Sequence, residues 1–105
     1  MRSMPRMLIG PLSLLPPASL AHAEPGGAPV TLCNHNGLIT AFHGLCPHRG
    51  GPLGHGNIDE GHILCPWHAW AFNCETGHLD GNPEIRLQPY PVTVEDGQIF
   101  VDLPD

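Results

Sequence analysis

Four residues in this chain have the types and spacing that hold inorganic centres. Cys46 and His48 stand two positions apart, Cys65 and His68 three apart, with sixteen residues between His48 and Cys65. Side chains this close on a tight loop can point at one centre, provided the flanking elements bring the two loops together. Thiolate and imidazole are ligands for zinc, iron and iron–sulfur centres; calcium and magnesium take oxygen. The two segments echo one another, since Leu45-Cys46-Pro47-His48 and Leu64-Cys65-Pro66-Trp67-His68 each place Leu-Cys-Pro ahead of a histidine.

Several chemistries compete for these residues. A disulfide between Cys46 and Cys65 would leave both histidines without a role. A structural zinc site of two cysteines and two histidines has the right ligand number, but the familiar arrangement draws its cysteines from one segment and its histidines from another. Here each loop supplies one of each. Chance placement does not account for a doubled Leu-Cys-Pro motif. The remaining chemistry is a [2Fe–2S] cluster with one iron on two cysteines and the other on two histidines. Bridging sulfides call for backbone N–H donors and closely approaching loops, and Gly50, Gly51, Gly54 and Gly56 offer that freedom. Pro47 and Pro66 stiffen the loops. Cys33 and Cys74 have no histidine at ligand spacing and are expected to be free thiols. His22, His35, His43, His55, His62 and His78 are expected at the surface or in turns. Trp67 and Trp70 are expected to pack around the centre, and Arg49 to be a solvated loop charge.

The elements that must position these loops read as short strands. Residues 30–34 and 38–43 flank Asn36-Gly37, and residues 91–95 and 98–102 flank Asp96-Gly97. Both dipeptides are strong hairpin signals. In the second pair Val92, Val94, Ile99 and Val101 alternate with polar neighbours, as strands buried on one face do. A weaker pair, 56–59 and 62–64, turns at Glu60-Gly61, and residues 69–73 form a strand ending in a turn at Glu75-Thr76-Gly77. No long window shows a helical period free of Gly and Pro. The expected class is an all-β domain.

Composition agrees. A chain of 105 residues with 13 Gly, 13 Pro, 2 Trp, 1 Tyr and 3 Phe has a thin core and many turns. Such a domain commonly depends on a disulfide or metal staple. The net charge is −6, with four arginines and no lysine. That balance excludes nucleic acid, which is bound by neutralising phosphates; it suits solubility or docking onto a basic partner. No apolar stretch is long enough to span a membrane. Residues 1–23 carry two arginines, an apolar run and Ala21-His22-Ala23, a small-residue pattern resembling a cleavage site. Pro11, Pro16 and Pro17 would break a signal helix, so the expectation is a flexible segment over 1–15 and a cytoplasmic protein.

The stretches Cys46-Pro47-His48-Arg49-Gly50-Gly51-Pro52-Leu53-Gly54 and Leu64-Cys65-Pro66-Trp67-His68-Ala69-Trp70-Ala71-Phe72 resemble the Rieske family, whose pattern is C-x-H followed at similar distance by C-x-x-H. The resemblance continues through Asn73 and Thr76-Gly77 into the closing hairpin. It implies an antiparallel β-sandwich over residues 16–105, with a small cluster-binding subdomain of two loops at about 45–72. Carried over position by position, it implies that Cys46 and Cys65 hold the inner iron of one [2Fe–2S] cluster and His48 and His68 the outer. Two neutral imidazoles in place of thiolates leave this centre less negative than an all-cysteine cluster, and Rieske centres span roughly −150 to +300 mV. The high-potential branch has an extra disulfide near Gly51 and Trp67 and a serine hydroxyl near Trp70. This chain lacks these, which implies the lower half of that range. Ala69 stands where the family usually has glycine.

The function so implied is that of a one-electron carrier, an electron-transfer component rather than a catalyst by itself. Leu45, Pro47, Pro52, Leu53 and Trp67 are expected to form an apolar patch about the outer iron. The resemblance suggests a ferredoxin taking electrons from a flavin-dependent reductase and delivering them to a non-haem iron, ring-hydroxylating oxygenase. The small subunit of an assimilatory nitrite reductase is the alternative within the family, and a structural zinc module the alternative outside it. Metal analysis separates the last: the cluster reading expects iron and acid-labile sulfide in red-brown protein, whereas colourless protein with stoichiometric zinc would overturn it.

Overall fold

The computed structural model describes residues 6–46, 53–66 and 70–103, and within them every regular element is a β-strand or a single 3-10 turn. The strands are β1 (Arg6–Pro11), β2 (Ser19–Ala23), β3 (Val30–His35), β4 (Leu38–His43), β5 (Asn57–Asp59), β6 (His62–Leu64), β7 (Ala71–Asn73), β8 (His78–Leu79), β9 (Asn82–Arg86), β10 (Pro89–Tyr90), β11 (Val92–Glu95) and β12 (Gln98–Asp102). No helix among the described residues is long and apolar enough to cross a membrane.

Three hairpins are set by their turn dipeptides. Asn36-Gly37, Glu60-Gly61 and Asp96-Gly97 each place both residues at positive φ, the geometry that matches strand twist in a two-residue turn. Asn34 reinforces the first: its side-chain oxygen accepts the Gly37 N–H at 2.9 Å, and its amide donates to the Leu15 carbonyl at 2.9 Å. Asn73 shapes the turn after β7 by accepting the N–H groups of Glu75 and Thr76 at 2.7 and 3.0 Å.

The strands form antiparallel sheets ordered β1-β12-β11, β10-β4-β3-β2 and β5-β6-β7-β8-β9. The middle sheet is buried on both faces. Along β3 and β4, Val30, Leu32 and Ala41 face one core with Leu15, Ile99, Val101 and Leu103. Cys33 and Phe42 face a second core with Leu53, Ile63, Phe72, Cys74, Leu79 and Leu87. The first core closes the sandwich against β12; the second seats the five-stranded sheet.

The ordered chain begins earlier than the expected flexible segment over 1–15 allows. Arg6–Pro11 pairs with β12, so that residues 6–15 belong to the domain. Met7 and Ile9 pack on the first core, the register shifts between Leu8 and Gly10, and the Leu12 N–H donates to Gly97 O at 2.7 Å. Arg6 lies 4.0 Å over the Phe100 ring and pairs with Glu95 at 2.7 Å. Ala21-His22-Ala23, read above as a cleavage pattern, lies in β2 and pairs with β3.

Leu32 is 1 % exposed at the centre of the first core. Leu32→Ala is expected to cost about 2–5 kcal/mol in urea unfolding, as buried leucine truncations do. Arg6→Ala, which breaks a half-exposed pair, should cost no more than about 1 kcal/mol.

Candidate metal centre

Two loops carry the candidate ligands, and a backbone hydrogen bond closes each at its base. In the first, the Leu53 N–H donates to Gly44 O at 2.9 Å, drawing together the two ends of the segment that contains Cys46. Gly44 is itself held by donation of its N–H to Pro29 O at 2.9 Å, and a Cβ there would come within 2.9 Å of the Pro29–Val30 backbone. In the second, β6 and β7 pair as far as Leu64 and Ala71, and the Cys65 N–H then donates to Trp70 O at 2.8 Å. Cys65 and Trp70 thus stand where the β6–β7 hairpin leaves the sheet, and its strands give them a rigid base.

The two loops meet at Gly56. A Cβ on Gly56 would run into the carbonyl oxygen of Leu64, the residue before Cys65, and approach Pro66 at 3.2 Å. Gly54 lies close against His22 in β2, where a Cβ would come within 2.8 Å of the His22 Cα. These two glycines thus wedge the 3-10 turn Leu53–His55 between β2 and β6, the close approach expected of them. Gly50 and Gly51 lie outside the described residues.

Cys46 and Cys65 come together in the second core, at 2 % and 3 % exposure, with Leu53, Ile63, Phe72 and Leu87 around them. Trp70 packs on the same core, its ring tilted against Phe72 at 6.4 Å, in keeping with the packing role expected of it. Both cysteines are free of disulfides. Two buried thiols from neighbouring loops, closed off from water by aliphatic and aromatic side chains, fit the thiolate half of a mixed-ligand cluster. His48 and His68 lie outside the described residues, as do Arg49 and Trp67.

One patch residue is corrected. Leu53 is fully buried, because its N–H and side chain anchor the first loop to the core; Leu45 does reach the surface at 37 % exposure. Pro47 and Pro52 lie outside the described residues. Beside Leu45 and Cys46 a cavity of about 250 Å³ is completed by His43, Arg86, Leu87 and Gln88. The His43 N–H donates to Gln88 O at 2.8 Å, and the Tyr90 hydroxyl lies 3.4 Å from His43 Nδ1. Burial raises the Tyr90 hydroxyl above its ordinary pKa. Of the six described histidines only His55 is exposed, in the 3-10 turn; His22, His35, His43, His62 and His78 are half-buried in strands rather than in turns, with His22 and His55 meeting edge to face at 5.1 Å. What the spacing did not reveal is that Cys33 and Cys74 share the second core with the candidate ligands.

Comparison with known proteins follows the same lines. The family profile described as the Rieske [2Fe-2S] domain matches residues 6–91. Human apoptosis-inducing factor 3 is 35 % identical over 83 residues, covering 78 % of this chain and 14 % of that protein. The ferredoxin component of the p-cumate 2,3-dioxygenase system of Pseudomonas putida is 38 % identical over 81 residues, covering 75 % of this chain and 69 % of the relative. Among solved structures, the Sphingomonas yanoikuyae B1 ferredoxin superposes with a TM-score of 0.83 at 25 % identity, covering 95 % of this chain and all of its own. The chain thus spans only a small part of the human relative.

Gly56→Ala tests the loop junction. Steric conflict with the Leu64 carbonyl should cost about 1–3 kcal/mol and lower the iron retained per chain after purification. Unchanged stability and iron content would show that the two loops do not meet there.

Proposed function

Because the chain belongs to the Rieske [2Fe-2S] domain family, we propose that it is a one-electron carrier whose single [2Fe–2S] cluster is held by Cys46, His48, Cys65 and His68. The observation that carries this reading is that Cys46 and Cys65, from separate loops, are both buried in one core. The cluster supplies the redox chemistry, gaining and losing one electron. The protein supplies the rest. Cys46 and Cys65 neutralise ferric charge from inside the core, while Leu53, Ile63, Phe72 and Leu87 keep water from the sulfurs. The hydrogen bonds Leu53 N to Gly44 O and Cys65 N to Trp70 O hold both thiolates in place as charge changes, which suits fast transfer. His48 and His68 would complete the ligand set.

The partner reading rests on relatives named as ferredoxin components of oxygenase systems. We assign this chain the same place, with a flavin-dependent reductase as electron donor and a non-haem iron oxygenase as acceptor.

Replacing His48 by cysteine puts an anionic thiolate where a neutral imidazole stood. The reduction potential of His48→Cys should fall, by an amount on the order of 100 mV given the gap between Rieske and all-cysteine centres. Protein-film voltammetry with EPR reads both potential and ligation; a potential equal to that of the parent removes His48 from the ligand set.

A further inference from the structure

Cys33 and Cys74 are fully buried free thiols that electron transfer through the cluster leaves unused. Cys33 lies in β3 of the middle sheet, and Cys74 directly follows β7 of the five-stranded sheet. Thr40 stands opposite Cys33 in the β3–β4 register, and its hydroxyl donates to the Cys74 carbonyl at 2.6 Å. The Cys74 N–H donates to Gly61 O at 2.9 Å. Thr40 thus links the two positions within the second core. Hydrogen bonding to Cys74 and burial push the Cys33 thiol up, and hydrogen bonding to Cys33 lowers Cys74. A surface cavity of about 240 Å³, lined by Thr40, Phe42 and Glu75, ends one residue short of the pair: neither sulfur lines it, and Glu75 directly follows Cys74.

We propose that Cys33 and Cys74 are a thiol–disulfide site, oxidised by hydrogen peroxide, that links the middle sheet covalently to the five-stranded sheet. The Cys74 thiolate attacks one peroxide oxygen, the O–O bond breaks, and the departing hydroxide takes up a proton to leave as water. Cys74 is then a sulfenic acid. The Cys33 sulfur attacks the Cys74 sulfur, the S–O bond breaks, and the hydroxyl leaves as water with the Cys33 proton. Two electrons pass from the sulfurs to one peroxide, giving one disulfide and two waters. The closed ring spans residues 33–74 and so encloses both candidate ligand cysteines. Oxidation would fasten the sheet bearing Cys65 onto the one that leads into Cys46.

The test uses the full-length, cluster-loaded protein treated with one equivalent of hydrogen peroxide, denatured under iodoacetamide and mapped by mass spectrometry. The expected result is one linked peptide pair, Cys33 with Cys74, lighter by two hydrogens and restored by dithiothreitol, with Cys46 and Cys65 both alkylated. The linked protein should also melt at a higher temperature than the reduced one. In Cys33→Ser the first step should stop at a Cys74 sulfenic acid captured by dimedone. Should that variant not fold, Cys74→Ser should leave Cys33 alkylatable after the same treatment. Full alkylation of both thiols in the treated protein, a link that includes Cys46 or Cys65, or sulfinic acid at Cys33 or Cys74 without a link overturns the proposal.

Discussion

Two backbone hydrogen bonds, Leu53 N to Gly44 O and Cys65 N to Trp70 O, define how much freedom the candidate ligand loops have. Each closes a loop where it leaves the sheets, so a short stretch of chain is fixed at both ends. Fixing those ends would be of little use if the loops stood apart, and Gly56 removes that separation by letting one loop rest on the carbonyl that precedes the other's cysteine. Burial of Cys46 and Cys65 then follows from the packing of Leu53, Ile63, Phe72 and Leu87. Sheet, loop closure and core are one construction.

Much of this was legible in the residues, for local reasons. Asn36-Gly37 and Asp96-Gly97 announce their hairpins because few other pairs adopt positive φ twice in succession, and the weaker Glu60-Gly61 works by the same geometry. Cys46 and Cys65 are legible as partners because ligand spacing is a local property of each loop. What was not legible depends on distant contacts. β1 contains Gly10 and ends in Pro11, poor strand signals, and becomes a strand because β12, some ninety positions later, offers it an edge. β9 is mostly exposed and carries Pro83; it exists through its pairing with β8. Gly54 and Gly56 suggested loops able to approach closely, but the neighbours they approach, His22 and Leu64, lie in other strands that no spacing rule names. Leu53 looked like a surface residue for the same reason: only the fold turns it inward.

The charge distribution complements this arrangement. Arg86, one of two arginines after residue 24, borders the cavity next to Cys46, with its Nε donating to Thr76 O at 3.0 Å. The acidic residues Glu60, Glu75, Asp80, Glu84, Glu95 and Asp96 are exposed on hairpin turns and sheet edges. Negative charge is thus kept out of the second core, where it would oppose an added electron most strongly.

The middle sheet, covered on both sides, has a consequence for mispairing. In a half-solvated sheet, a strand that slips by one residue exposes its apolar set to water, and that penalty protects its register. β3 has no wet face to provide the penalty. A slip there would merely exchange Leu32 for Cys33, placing a thiol among aliphatic side chains and a leucine in the core that holds the candidate ligand cysteines. Protection comes instead from Asn34, whose two hydrogen bonds, to Gly37 and Leu15, can be made in only one alignment. A buried amide thereby acts as the alignment mark for a strand that hydrophobicity alone could not position.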